Sequence, residues 1–156
     1  HSSVQGFMVL ALSQGNGLLA LRPRIARKWM LAYRARSSGS PVPFPIEKLD
    51  EFLNLYEKIK NSKNFSTPFV PKASHDRSLV MLNDLRNEFI HFTPKGWSLE
   101  LAGLPYLLND AADVVQWCGS SADIPIWYKQ SERRREASAL RKLRKASKAL
   151  VALYDA

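Results

Sequence analysis

The chain has 156 residues, with 23 Lys and Arg against 14 Asp and Glu, a net charge of +9 and a sequence pI near 9.9. This length suits one domain with an apolar core, and the charge favours anionic partners without choosing among RNA, DNA, acidic protein and lipid. The single cysteine, Cys118, excludes an internal disulfide and a cysteine-based zinc site, and the longest apolar run, Phe7 to Leu12, is far shorter than a membrane span. We therefore expect a cytoplasmic protein with no membrane partner.

The first 17 residues are open to two interpretations, because the run from Phe7 to Leu12 suits either a strand or a helix. The segment from Gly15 to Ala20 fits the G-x-G-x-x-A form of a dinucleotide-binding turn. No second strand with an acidic end follows about 20 residues later, as that site requires. We therefore predict a loop here and no cofactor.

Apolar residues at spacings of three and four predict a first helix from Arg22 to Arg36, or from Leu18. Residues 37–45 contain three prolines and predict a loop. A second helix is predicted from Ile46 to about Asn61, since its apolar residues fall on one face: Ile46, Leu49, Leu53, Tyr56 and Ile59.

Three further helices follow. Ser74 is placed to cap the third, whose predicted core residues are Leu82, Leu85, Phe89 and Phe92. The fourth runs from Ser98 to just before Gly119, with Pro105 in its early part. The fifth runs from Ser131 to Tyr154 and carries an apolar seam made of Leu140, Leu143, Leu150 and Tyr154.

Four or five helices with short loops and no convincing strands predict an all-α fold, an antiparallel helical bundle. We divide the chain into a bundle over residues 1–125 and a basic amphipathic C-terminal helix over residues 126–156. No metal-binding or phosphate-loop motif is present, so no metal or cofactor is expected. His75, next to Asp76, is interpreted as a capping or surface residue.

The third helix holds the residues that point to chemistry. Arg86 has no carboxylate at the positions three or four residues away, so its guanidinium must pair with another helix, a partner chain or a phosphate. His91 lies near the predicted helix end, where the helix dipole and Glu88 favour an imidazolium. An arginine and a histidine together suit metal-free phosphodiester cleavage. In the alternative interpretation, Arg86 pairs with Asp110 or Asp113 and is purely structural.

The sequence Arg86-Asn87-x-x-x-His91 resembles the R-x4-6-H motif of HEPN domains, and the helical pattern from Arg22 to Cys118 is similar to theirs. Many HEPN domains are metal-independent ribonucleases of toxin-antitoxin and defence systems. The resemblance implies that Arg86 and His91 are catalytic and that Asn87 orients them. It also implies a homodimer with a composite active site, RNA as substrate, and an antitoxin or nucleotidyltransferase as a possible partner. A non-catalytic HEPN-like module that binds nucleic acid or protein is the alternative.

Positive charge is concentrated towards the C-terminus, because residues 129–156 include nine basic residues and only three acidic ones. Such a helix can hold an RNA backbone, with affinity that falls as salt rises. It can also be a solvated face on a helix that docks on the bundle or on a second copy, and binding to a membrane surface is a third option. The candidate RNA-binding residues are Arg133, Arg134, Arg135, Arg141, Lys142, Arg144 and Lys145.

Overall fold

The structure, a computed structural model, describes residues 1–90, 103–121 and 129–154. The predicted all-α fold is confirmed for these ranges, which contain six α-helices, one 3₁₀ turn and no β-strand. The elements in chain order are α1 (Ser2–Leu12), the 3₁₀ turn (Leu18–Ala20), α2 (Pro23–Ser37), α3 (Phe52–Ile59), α4 (His75–Ile90), α5 (Leu104–Ser120) and α6 (Gln130–Tyr154).

The apolar core lies where α1, α3, α4 and α5 meet. Helix α1 packs against α3 and α5, α4 also packs against α5, and α6 lies along α5. Burial of each Leu or Ile side chain in such a core stabilises the fold by about 1.5–3 kcal/mol. Side chains with no exposed surface come from all four helices and include Met8, Leu12, Leu55, Ile59, Leu79, Val114 and Cys118.

Helix α1 settles the open interpretation of the N-terminal residues. Val4, Met8 and Leu12 recur every four residues and are all buried, so one face of α1 packs on the core. In the turn that follows, Gly15 and Gly17 have φ angles of 63° and 71°, which glycine adopts without strain. The glycine spacing in this segment therefore serves a turn, in agreement with the predicted loop.

The second predicted helix begins later than its apolar pattern indicated. Helix α3 starts at Phe52, whereas Ile46 lies outside any helix and is 83% exposed. Leu49 is also exposed. The prediction that Ile46 and Leu49 lie on the apolar face of this helix is therefore wrong. Tyr56 and Ile59 are buried, as the pattern required.

The backbone of residues 48–50 cannot join α3 because it pairs with residues 20–22. Two backbone hydrogen bonds of 2.9 and 3.1 Å and an isolated antiparallel bridge connect the two segments. Lys58 reinforces the junction, since its Nζ donates to the carbonyl oxygen of Leu21 at 2.8 Å and forms a 2.6 Å ion pair with Asp50. The chain thus leaves the helical core before α2 and returns to nearly the same point.

The buried face of α4 lies nearer its N-terminus than predicted. His75 and Leu79 are buried and Leu82 packs partly against the core, but Phe89 is 64% exposed. The prediction that Phe89 belongs to the core is wrong, and the hydrogen bonds of His75 and Ser78 to α5 lie in the first turn of α4 instead. Phe92 lies outside the described residues.

The contact between α5 and α6 also differs in part from the prediction. Pro105 occupies the first turn of α5, where its missing N–H breaks no helical hydrogen bond. Its carbonyl oxygen accepts a 2.7 Å hydrogen bond from the buried hydroxyl of Ser147 on α6. The docked face of α6 therefore includes Ser147, whereas Leu150 of the predicted seam is 39% exposed. Ser98, the predicted start of the helix that corresponds to α5, lies outside the described residues.

Among the described helices, none has both the length and the apolarity needed to cross a lipid bilayer. The division of the chain at residue 125 stays a prediction, and the structure adds only that α6 packs along α5.

Candidate functional site

Arg86 lies on the exposed side of α4, close to its C-terminal end. Its Nη1 donates a 2.9 Å hydrogen bond to the side-chain oxygen of Asn87, which orients the guanidinium. Both residues line a cleft of about 440 Å³ that also includes Asp50 and Glu51, just before α3. His91 lies outside the described residues, so its position relative to Arg86 stays a prediction.

The alternative in which Arg86 pairs with an acidic residue of α5 is wrong. Asp110 accepts hydrogen bonds from two serines at the start of α4, at 2.6 and 3.1 Å. Asp113 forms ion pairs with Lys72 at 2.6 Å and with Arg144 at 2.7 Å. Both carboxylates are therefore occupied, and Arg86 is left on the surface.

A second cleft, of about 580 Å³, lies between α5 and α6. It contains four of the seven predicted RNA-binding residues, whereas Arg135, Lys142 and Lys145 lie on exposed positions of α6 away from it. We call it the arginine cleft. Its lining consists of Gln116, Gly119, Ser120, Arg133, Arg134, Glu136, Ala137, Leu140, Arg141 and Arg144.

Arg144 is the anchored member of the arginine cleft. One nitrogen of its guanidinium, Nη2, lies 2.7 Å from Asp113 Oδ1 and 2.7 Å from Gln116 Oε1. Both partners belong to α5, so Arg144 fixes the position of α6 as well as contributing charge. Arg134 and Arg141 are exposed at the cleft.

Gly119 leaves room for the carboxylate of Glu136 beside α5, in the lining of the arginine cleft. A Cβ atom on residue 119 would overlap the carboxylate of Glu136 on α6. A larger residue in α5 would therefore displace Glu136. Gly119 and Glu136 both line the cleft.

His75 is the residue whose role the sequence analysis missed. The prediction of a capping or surface role is wrong, because His75 is only 1% exposed and sits edge-on to the Phe69 ring. Its Nδ1 accepts a 2.7 Å hydrogen bond from the backbone N–H of Lys72. Its Nε2 lies 3.2 Å from Asp113 Oδ2 and 3.6 Å from Asp110 Oδ1. A signal existed in the sequence: two carboxylates on an otherwise apolar helix need buried partners.

His75, Asp110 and Asp113 bring three potential metal-binding atoms within 4.8 Å of one another. Their hydrogen bonds favour a polar network instead of a metal centre. Because Nδ1 accepts from a backbone N–H, the tautomer assigned from the network carries its proton on Nε2, the atom that faces the carboxylates. A metal ion needs a lone pair at that position.

The pKa of Asp113 reflects the same network. Burial acts to raise the pKa of this carboxyl group, but hydrogen bonds from Lys72 and Arg144 outweigh burial and lower the pKa below its usual value. A carboxyl group whose pKa is lower in the folded state stabilises the fold above its unfolded pKa. That stabilisation disappears as the pH falls through the folded-state pKa.

We expect Asp113→Asn to flatten the acid side of the stability profile. Wild-type protein should lose free energy of unfolding as the pH falls from about 5 through 3, and the variant should lose less over that interval. Chemical unfolding at a series of pH values, with Asp84→Asn at an exposed position of α4 as control, measures this difference. Equal slopes for Asp113→Asn and wild type would contradict the assigned role of Asp113.

Comparison with protein-family models, curated proteins and solved structures gives no match to this chain. Any function has to follow from the residues of the two clefts themselves.

Proposed function

We propose that the chain binds RNA through the arginine cleft and the exposed basic residues of α6. The main support is the convergence of four arginine side chains on one cleft of about 580 Å³. A cleft of this volume accommodates a ligand of nucleotide size. Guanidinium groups suit phosphate oxygens because their paired N–H donors match two oxygens at once.

The basic residues of α6 have different roles in the proposed binding. Arg144 is held by Asp113 and Gln116, so it fixes α6 against α5, and the Asp113 carboxylate offsets its charge. Arg134 and Arg141 are exposed and can reach phosphates at its mouth. Such contacts give affinity that depends steeply on salt and carries no base preference.

RNA cleavage at Arg86, Asn87 and His91 is a second candidate function, drawn from the resemblance to HEPN domains. It is favoured by the exposure of Arg86 in a cleft and by its hydrogen bond to Asn87 instead of to a carboxylate of α5. A guanidinium in this state is available to a phosphate.

In this reaction, a ribose 2′-oxygen attacks the adjacent phosphorus while the bond from phosphorus to the 5′-oxygen breaks. The proton of the 2′-hydroxyl leaves, and a proton is delivered to the departing 5′-oxygen, with His91 moving a proton in one of these transfers. Arg86 stabilises the charge on the phosphoryl oxygens. The products are a 2′,3′-cyclic phosphate and a 5′-hydroxyl, so the balance requires no metal or further reactant.

The two candidate sites share no lining residue. An RNA strand held at the arginine cleft would therefore have to extend to reach Arg86, or reach Arg86 of a second copy. We include in the proposal the homodimer with a composite site, the antitoxin or nucleotidyltransferase partner and the cytoplasmic location that the sequence analysis predicts.

Replacing Arg133, Arg134 and Arg141 by Gln together should weaken RNA binding about tenfold near physiological salt. Loss of about three phosphate contacts should also make the salt dependence shallower, by about 0.7 per contact on a log–log plot. Fluorescence anisotropy with a 2′-O-methylated single strand of about 20 nucleotides measures both values. This ligand lacks the attacking hydroxyl, so cleavage does not interfere.

The matched control removes three charges elsewhere. Lys48, Lys63 and Arg77 are exposed and lie outside both α2 and α6. Their replacement by Gln should change affinity less than about twofold, as expected for distant charges screened by salt. If both triple variants weakened RNA binding equally, net charge alone would explain the loss, and the proposal would be contradicted.

A further inference from the structure

Helix α2 is a second strongly basic surface, which the sequence analysis did not single out. The chain has no acidic residue before Glu47, and α2 with its preceding residue carries six basic ones. Arg22 pairs with Glu51, and Arg36 lies over the Phe44 ring. The other four form no ion pair within the described part of the chain, and all are exposed: Arg24, Arg27, Lys28 and Arg34.

These four residues share one face of α2. Their spacings of three, four, seven and ten residues place them on one side of the helix, over a length of about 15 Å. Leu31 lies among them and is 58% exposed. The face is therefore a row of cations long enough to follow several phosphates of one strand.

The rest of α2 is held in place by the chain that follows it. Ala32 is the only buried residue of the helix, and α2 packs against the 3₁₀ turn. Trp29 stacks on Phe44 at 4.6 Å between ring centroids, and Arg36 Nη1 donates to the carbonyl oxygen of Val42 at 3.2 Å. Residues 42–45 thus lie against Trp29 and Arg36, and they form a groove with α2 that Lys28 and Leu31 also line.

The basic residues of α2 destabilise this helix when no anion is bound to it. Like charges three and four residues apart repel, as for Arg24 with Arg27 and with Lys28. The first turn has no acidic residue, so arginines occupy the end of the helix that favours anions. A bound phosphate would reduce both the repulsion between these cations and their unfavourable interaction with the helix N-terminus.

We infer that the face of α2 formed by Arg24, Arg27, Lys28 and Arg34 is a second contact for an RNA phosphate backbone. This inference rests on the proposed RNA-binding function and extends it to a second surface. The face presents four cations and no carboxylate, which suits the repeated phosphates of an RNA strand.

The test compares Arg24, Arg27 and Arg34 replaced together by Gln with the arginine-cleft variant and with the Lys48, Lys63 and Arg77 control. A 2′-O-methylated single strand of about 40 nucleotides, long enough for two contacts, is titrated between about 50 and 200 mM salt. The α2 variant should bind about tenfold more weakly than wild type, with a shallower salt dependence. Circular dichroism and the melting temperature establish that every variant is folded.

The outcomes separate this inference from the proposed function. An α2 variant that binds like the control, while the arginine-cleft variant weakens, overturns the role of α2 alone. Wild-type protein that does not bind the strand overturns both. Vesicles of phosphatidylcholine and phosphatidylserine are titrated in parallel. Loss of vesicle binding by the α2 variant, with RNA binding intact, assigns the face to lipid and overturns the inference.

Discussion

Replacing His75 by Ala should lower the free energy of unfolding by about 3 kcal/mol. The change empties a fully buried position against Phe69 and leaves the backbone N–H of Lys72 without its acceptor. It also removes the donor that faces Asp113. Because His75 joins α4, α5 and the segment before α4, its loss should destabilise the contact between these elements.

Two conservative variants separate the hydrogen bonds from the loss of volume. His75→Asn retains an acceptor near the Nδ1 position, and His75→Gln retains a donor towards Asp113. Each should recover part of the stability lost in His75→Ala, as measured by urea unfolding, with Arg77→Ala at an exposed position of α4 as control. A loss below about 1 kcal/mol for His75→Ala would show that the network contributes little. A melting temperature raised by Zn²⁺ in wild type but not in these variants would favour a metal centre instead.

The second large effect concerns RNA cleavage. With total RNA in excess EDTA, wild-type protein should produce fragments ending in a 2′,3′-cyclic phosphate. Arg86→Ala and His91→Ala should each lower the rate by about 100-fold or more, as expected for loss of a charge-stabilising or proton-transferring group. Binding of the 2′-O-methylated strand should change little, because the arginine cleft is intact in both variants.

Controls exclude a contaminating nuclease and a general effect of charge. Arg77→Ala removes an exposed arginine from the same helix and should cleave like wild type. Asn87→Ala should lower the rate less than Arg86→Ala does, since Asn87 acts by orienting the guanidinium. Intact RNA with wild-type protein, or cleavage that persists in both Arg86→Ala and His91→Ala, would reject this activity and leave RNA binding as the function.

Helices whose apolar residues recur at spacings of three and four could be predicted from the sequence. Helix α6 begins within one residue of its predicted start, and α2 matches its predicted range closely. The failures occur where long-range contacts override local pattern. Ile46 and Leu49 fit a helical stripe, but the backbone of residues 48–50 pairs with a segment nearly thirty residues earlier. Periodicity carries no information about such pairing.

The candidate sites show the same limit. The exposure of Arg86 follows from partners that α5 finds elsewhere, and the sequence alone left Asp110 and Asp113 available to it. The burial of His75 depends on the same two carboxylates, which lie 35 and 38 residues along the chain. The basic character of α2 was readable from composition, yet only the structure shows that Arg24, Arg27 and Arg34 are exposed.

The junction between residues 20–22 and 48–50 has a topological consequence. The two segments are joined by backbone hydrogen bonds, so the two ends of the chain between them lie side by side. This part of the chain is therefore an insertion into the helical core. Insertions of this kind tolerate changes in length and composition, since few contacts cross their boundary. The basic arm formed by α2 and residues 40–47 can therefore vary independently of the core. Lys58 ties the two ends of this arm together through Leu21 and Asp50.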